Sequence, residues 1–433
     1  MTQAPPSAAL TPDTTVVLHE LAVRPEGEEA VVGRMDTGDF VALPLVGVRA
    51  IELLRSGLRL GEAEDRLEAE LGQRPDLGEF VESLVEIGFV RAIDGTAIGS
   101  EDGREPSLPW LEPRHVRWLF GRGAKAAYSA LVLASLATLA LHPELFPSYH
   151  DFVWSDITSL VIVVNTAMFL LDIAAHETAH LAAARSFGVP ARITLGTRLY
   201  NLVAQTDVSG LWALPRRCRY RGYLAGMLWD GGVASACLLA LAWLDLPSLA
   251  DGLLSALLLM IVLGLLSQLQ LFMRTDLYFV VADLLDAKNL FEDATVYLGV
   301  VWRRLLARVR GAPQSSLDGP LGALSPRELR IVRIYAWLML LGSLVALTLF
   351  ALYVAPVVVV LLADASRAVA AGIRDGDPWQ ILDGVATWAV EGGLQVAFLV
   401  VFARSRREWL SRLRRRWSEA RAPAMEAPDD QAA

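Results

Sequence analysis

The chain is poor in the residues that build several common kinds of protein. Its 433 residues include only two cysteines, Cys218 and Cys237, which show no CxxC spacing, so no disulfide can be inferred. Glycine and proline follow no regular period, which excludes a collagen-like chain. Lysine is almost absent, since 37 of the 39 basic residues are arginine, and 48 acidic residues bring the formal charge to −9.

Hydrophobic residues are abundant, and they are concentrated in long runs. They make up 54% of the chain, and its mean hydropathy is +0.41. A helix needs roughly 20 apolar residues to cross the hydrocarbon core of a bilayer. The runs therefore exclude a soluble enzyme and predict a mainly α, polytopic helical membrane protein with six spans, at 126–142, 157–183, 222–243, 252–274, 334–362 and 381–403.

Arginine and lysine are distributed unevenly between the connections of these spans. The connections 143–156 and 244–251 contain none, whereas 184–221 contains seven and 275–333 contains eight. Positive residues collect on the cytoplasmic side of a membrane. The distribution predicts a multi-pass protein of the cell's inner (cytoplasmic) membrane, with both termini in the cytoplasm.

Residues 1–105 differ in composition from the rest of the chain. They contain 9 Arg and 21 Asp or Glu, a balance of −12, and no run long enough to span a membrane. An alternating segment with a turn, three short segments with helical spacing and a closing strand predict a small winged-helix-like α+β domain in the cytoplasm. Residues 106–125 are expected to form a linker, and 126–403 the membrane core.

The second predicted span carries the motif His-Glu-x-x-His. His176 and His180 lie four residues apart, so a helix places both imidazoles on one face, where they can share a zinc ion. Glu177 lies beside them and could act as the general base towards a water molecule on that ion. Ionisable residues inside a span are costly and usually functional, which favours a zinc site over an accidental match.

A catalytic zinc site usually has three protein ligands and keeps its fourth position for water. The other histidines are predicted to lie far from the motif, so carboxylates are the better candidates for the third ligand. Asp230 and Asp276 both lie near the cytoplasmic ends of spans. Asp172 lies one helical turn before His176 and could instead orient its imidazole, or serve as a polar contact between helices.

Residues 157–295 resemble the site-2 protease family of intramembrane zinc metalloproteases, and in particular its bacterial branch of peptide zinc metalloproteases. That branch typically reads DGYYxxxDLLxxxNL from its zinc-binding aspartate, and residues 276–290 here read DLYFVVADLLDAKNL. The segments Asp207-Val208-Ser209 and Ala225-Gly226 also resemble that branch. Leu277 departs from the pattern, since the family has glycine there, and Asp230-Gly231 supplies an Asp-Gly pair elsewhere.

This resemblance implies a membrane-embedded zinc endopeptidase. It implies that Zn²⁺ is bound by His176, His180 and Asp276, with Asp230 as a rival ligand or a nearby polar residue, and that Glu177 is catalytic. It also implies that residues 188–215 form a sheet near the site, where a substrate would be held extended; an ordinary hairpin is the alternative. The expected substrates are peptides or membrane proteins.

The N-terminal domain is not expected to bind nucleic acid, because its charge is negative. Over about residues 15–95 it resembles the peptide-binding domain of pyrroloquinoline quinone biosynthesis protein D, which also serves as the leader-recognition element for ribosomally made, modified peptides. The resemblance rests on the Asp36-Thr37-Gly38 turn, on residues 50–54 and on residues 80–89. It implies that a precursor peptide adds as a strand beside the hairpin. A regulatory or packing role is the alternative.

The C-terminal tail, residues 404–433, begins with eight arginines interleaved with tryptophan and leucine. This pattern predicts a basic amphipathic helix on the inner surface of the bilayer. For the whole chain, two alternatives to an endopeptidase stay open: a zinc-site membrane protein that serves peptide export or immunity without cleavage, and a sensor protease gated by its N-terminal domain.

Overall fold

A computed structural model describes most of the chain, and 70% of the described residues are helical. The structure does not describe residues from 407 onward, so the amphipathic helix predicted for the tail falls outside the described residues. The described residues are 10–27, 29–72, 74–98, 105–199, 201–287, 289–310 and 320–406.

The N-terminal region contains a small β structure and three helices. The strands form two three-stranded sheets, ordered β2-β3-β4 and β1-β5-β6. The predicted hairpin, the three helices and the closing strand are present. Strands β1, β2 and β6 are present as well, although the sequence did not predict them. The elements are β1 (Val16–Leu18), β2 (Ala22–Glu26), β3 (Glu29–Gly33), β4 (Phe40–Pro44), α1 (Leu45–Arg55), α2 (Leu60–Leu71), α3 (Leu77–Glu86), β5 (Val90–Ile93) and β6 (Thr96–Ala97).

These elements enclose a core of their own. Ile51 of α1, Leu67 of α2 and Phe89 before β5 are fully buried in one hydrophobic cluster, which also includes Val32 of β3. Burying a side chain of this size stabilises a fold by about 1.5–3 kcal/mol. The region therefore has the packed interior that its alternating and helical patterns predict.

The hairpin of β3 and β4 closes through a tight turn at Gly38, whose φ is +78°. The Arg34 N–H donates to the Asp39 carbonyl, and the Gly38 N–H donates to the Arg34 carbonyl, both at 3.0 Å. Because hydrogen-bonded pairs alternate along an antiparallel ladder, Val41 is hydrogen-bonded to its β3 partner, and the Ala42 N–H points away from β3. Strand β3 has partners on both sides, so the open strand of this hairpin is β4.

The segment after this region is more helical than the expected linker. It contains α4 (Pro113–Val116) and a 3₁₀ turn (Arg117–Phe120). The first membrane helix then begins at Arg122 instead of at residue 126. Proline at the first position of α4 is favourable, because its ring fixes φ and the missing N–H would have no helical partner there.

Among the described residues, six helices or helix pairs are long and apolar enough to cross a membrane, as predicted. The helices are α5 (Arg122–Leu141), α6 (Thr158–Ser186), α8 (Ala225–Trp243), α9 (Ser248–Ser267), α12 (Pro326–Leu349), α13 (Ala355–Asp375), α14 (Pro378–Thr387) and α15 (Gly393–Ser405), of which α12–α13 and α14–α15 each form one continuous helical segment.

Two of the predicted spans, the fourth and the fifth, differ most from the observed helices, by seven residues or more at one end. The fourth ends at Ser267, seven residues earlier than predicted, because a 3₁₀ turn (Leu271–Met273) follows it. The fifth helical segment is 50 residues long and extends from Pro326 to Asp375, whereas the predicted span was 334–362. It is interrupted by a π-helical turn (Phe350–Val354) just before Pro356, which cannot donate a backbone hydrogen bond to the preceding turn.

The long connection between α6 and α8 folds against the membrane helices. It contains the antiparallel strands β7 (Arg192–Arg198) and β8 (Asn201–Asp207), a 3₁₀ turn (Ser209–Ala213) and the short helix α7 (Arg216–Tyr223). The connection after α9 contains α10 (Asp276–Leu284) and α11 (Leu290–Arg310). The polar segment 188–215 thus has the strands that its sequence predicts.

Candidate metal centre

Three side chains that the sequence singles out meet at one point. His176 and His180 project from the same face of α6, and their Nε2 atoms are 3.2 Å apart. The Oδ2 atom of Asp276 lies 3.0 Å from the His176 Nε2 and 3.1 Å from the His180 Nε2. These three residues could hold a metal ion.

A sharp bend in the chain brings Asp276 to the histidines. Arg274 has a φ of +56°, and α10 begins two residues later at Asp276. Two hydrogen bonds fix the bend to the end of α9: the Thr275 hydroxyl donates to the Gln268 carbonyl at 2.7 Å, and the Asp276 N–H donates to the Gln268 Oε1 at 3.0 Å. The aspartate is therefore held by backbone geometry at the first turn of a helix.

The Nδ1 atoms of both imidazoles have acceptors of their own. The His176 Nδ1 lies 2.7 Å from the Oδ2 of Asp230 on α8. The His180 Nδ1 lies 2.7 Å from the carbonyl of Gly222 on α7. Because each Nδ1–H can donate to these acceptors, Nε2 is the nitrogen of each ring that is left to bind a metal ion beside Asp276.

The other two candidate aspartates, Asp230 and Asp172, differ in their position relative to His176. Asp230 is 5% exposed and orients His176 through Nδ1, on the opposite side of the ring from Asp276. Asp172 lies one turn before His176, but the acceptor at the His176 Nδ1 is Asp230. Helix α8 packs against α6 beside His176. Asp230 of α8 therefore contacts the His176 imidazole, which the spacing along α6 had suggested for Asp172.

Gly226, in the first turn of α8, lies directly against the imidazoles. A Cβ atom built at this position would overlap the Nε2 atoms of both His176 and His180. Only glycine permits such close approach of the α8 backbone to the two rings. Gly226 belongs to a segment that resembles the bacterial branch, but the resemblance implies no role for it.

Glu177 is 8% exposed and is held by the hairpin. Its Oε2 lies 2.6 Å from the Thr206 hydroxyl on β8, and the same hydroxyl lies 3.0 Å from the Glu177 carbonyl. No motif in the sequence singles out Thr206, which lies in strand β8.

The donor set fits a zinc ion. Zinc binds imidazole nitrogen and carboxylate oxygen at about 2.0–2.2 Å in tetrahedral geometry, which places neighbouring donor atoms about 3.3 Å apart. The three separations here are 3.0, 3.1 and 3.2 Å. The three donors therefore need to move apart by only a few tenths of an ångström, and three protein ligands leave the fourth position for water.

No protein-family model matches the chain, and comparison with curated proteins and with solved structures also finds no match.

Proposed function

We propose that the chain is a membrane-embedded zinc endopeptidase whose metal ligands are His176, His180 and Asp276. The observation that carries the proposal is the convergence of two Nε2 atoms and one carboxylate oxygen within 3.2 Å of one another, next to a buried glutamate in an apolar helix. A structural zinc site would not need that glutamate, because it is closed by four protein ligands.

Bound zinc would lower the pKa of a water molecule and polarise the scissile carbonyl. Glu177 would accept the proton of that water and return it to the leaving nitrogen, so that one carboxylate serves both halves of the reaction. The hydrogen bond from Thr206 fixes one carboxylate oxygen of Glu177 and leaves the other for this proton. Asp230 would hold His176 and stabilise the positive charge that the metal places on the ring.

The hairpin of β7 and β8 supports a role in holding substrate. A helical peptide keeps its carbonyls in internal hydrogen bonds, so a substrate must be extended before water can attack it. Strand β8 borders the site directly, since Thr206 contacts Glu177. A two-stranded sheet has an open edge on each strand, and an extended peptide could add to one of them.

The N-terminal region supports recruitment of a peptide. We propose that residues 1–105 form a winged-helix-like recognition domain that binds a peptide at β4, one of the two outer strands of the β2-β3-β4 sheet, with the Ala42 N–H available for a ladder to an incoming strand. The expected ligand is a precursor peptide or the exposed end of a membrane protein. The peptide would thus add to the hairpin beside residues 40–44.

Metal analysis and cleavage assays on the full chain in detergent test the proposal. We expect about one zinc per chain, and a substoichiometric content in His176→Ala and in His180→Ala, because each removes one of three ligands. His150→Ala, at an exposed histidine between α5 and α6, is the matched control and should keep its zinc. Peptides encoded beside the gene are the first substrates to assay by mass spectrometry.

The outcomes separate the possible functions. Full zinc retention in both histidine variants would contradict the metal site. Stoichiometric zinc without cleavage of any neighbouring peptide or membrane-protein segment would instead favour a role in export or immunity.

A further inference from the structure

Arg219 of α7 is a charged side chain with no exposure to solvent. A buried charge is costly unless it is paired. Its Nη1 lies 2.8 Å from the Oδ1 of Asp283 on α10, and its Nη2 lies 2.9 Å from the Oε1 of Glu26 on β2. The guanidinium carbon also lies 5.1 Å from the centre of the Trp212 ring. Segments that are far apart in the sequence thus meet around this one guanidinium.

Two of these segments, α7 and α10, also contain residues of the candidate metal centre. Gly222 follows Arg219 by about one turn of α7, and its carbonyl accepts the hydrogen bond from His180. Asp283 follows Asp276 by about two turns of α10, so both lie on one side of that helix. Arg219 therefore lies on the helix that orients His180 and contacts the helix that begins at Asp276.

The third segment belongs to the N-terminal region. Glu26 ends β2, and its Oε1 also lies 3.6 Å from the Nε of Arg216. Arg24, two residues earlier, donates to the Trp212 carbonyl at 3.4 Å. Arg216 forms a further ion pair with Asp286, just beyond α10. The acidic and basic groups alternate through this cluster, and Glu26 is the acidic member that the N-terminal sheet supplies.

We propose that Arg219 is a positioning residue through which the N-terminal region sets the geometry of the metal centre. The inference rests on the proposed zinc site and names how that site is regulated. With the sheet in place, Glu26 and Asp283 together neutralise the buried guanidinium. When Glu26 moves away, the guanidinium is left with one carboxylate, and α7 and α10 must shift to solvate it. The shift moves the Gly222 carbonyl and Asp276, and thus the metal site responds to the position of the N-terminal region.

The test uses the full chain in detergent and measures the metal site itself. Glu26→Gln and Asp283→Asn each remove one negative charge from the cluster while keeping the side-chain shape. We expect each to weaken zinc binding about tenfold in competition with a chelator, the lower end of the effect of residues that orient metal ligands. We also expect a changed d–d absorption spectrum of the Co²⁺-loaded protein. Glu82→Gln, at an exposed carboxylate on α3 of the same region, is the matched control and should change neither.

A double-mutant cycle identifies Arg219 as the intermediary. In an Arg219→Gln background, Glu26→Gln should have no further effect on zinc affinity, because the charge that it would have left unpaired is already gone. If Arg219→Gln does not fold, the single variants decide alone. Wild-type zinc affinity and an unchanged cobalt spectrum in Glu26→Gln would overturn the inference. A wild-type chain that binds no zinc would overturn the proposed function as well, and so the two failures are distinguishable.

Discussion

At the scale of single residues, the site is defined by which atom of each group faces which neighbour. The Oδ2 of Asp276 lies near both Nε2 atoms, whereas Asp230 contacts only the His176 Nδ1. We therefore expect Asp276→Ala to leave zinc substoichiometric, and Asp230→Ala to retain it with an affinity roughly 10–100-fold lower. Metal titration of the two variants side by side checks this. The reverse order would move the third ligand to α8.

Glu177 should affect turnover and not metal binding. It lies beside the histidines but does not join their cluster, and its Oε2 is hydrogen-bonded to Thr206. Glu177→Gln keeps the shape and the hydrogen bond but removes the base, so cleavage should fall roughly 100-fold or more. Zinc content, measured on the same preparation, should equal that of the wild type. Loss of zinc from this variant would instead make Glu177 a ligand.

The close approach of Gly226 to the imidazoles gives a steric prediction at the same scale. In Gly226→Ala, the added methyl group would overlap both Nε2 atoms, so α8 or the rings must move and zinc binding should be lost or strongly weakened. Gly264→Ala is a matched control, since Gly264 also lies in a membrane helix and a Cβ there meets nothing within 4 Å. Chelator competition on the two variants would compare them, and equal affinities would show that α8 is free to shift.

At the scale of the element, periodic features could be predicted from the sequence and packing between elements could not. The two histidines are neighbours because the helix alone fixes the i, i+4 spacing, and the six spans follow from the length of the apolar runs. Asp230 and the Gly222 carbonyl reach the rings only because α7 and α8 pack against α6, which no local pattern encodes. Strand β1 has only three residues and β2 contains Pro25, which argues against a strand, so neither is predicted from the sequence.

The open edge of β4 gives a prediction about an element. The Ala42 N–H points away from β3, so Ala42→Pro removes a donor from the peptide-binding edge while the internal ladder keeps its hydrogen bonds. Precursor peptides from the same gene neighbourhood should then bind the full chain at least tenfold more weakly, as measured by fluorescence anisotropy. Zinc content is the control and should stay the same. Unchanged peptide affinity would exclude β4 as the binding edge.

At the scale of the whole molecule, the contacts of the site decide which helix ends share one side of the membrane. Asp276 follows α9, the histidines lie in the C-terminal half of α6, and Gly226 lies at the start of α8. Their contacts require these three helix ends to lie at one level, and the ion pair between Glu26 and Arg219 places the N-terminal region on the same side.

The arginine-rich connections predict that this side is the cytoplasm. Reporter fusions after Arg104, Arg217, Gly311 and Arg416 should therefore all report the cytoplasm, and a fusion after His150, between α5 and α6, should report the exterior. The Arg217 and His150 fusions carry the most weight, because one helix, α6, separates them and carries the whole HExxH motif. A cytoplasmic His150 together with an exterior Arg217 would show that the protein has the opposite orientation in the membrane. The metal centre would then open to the outside, and its substrates would have to be exported before cleavage.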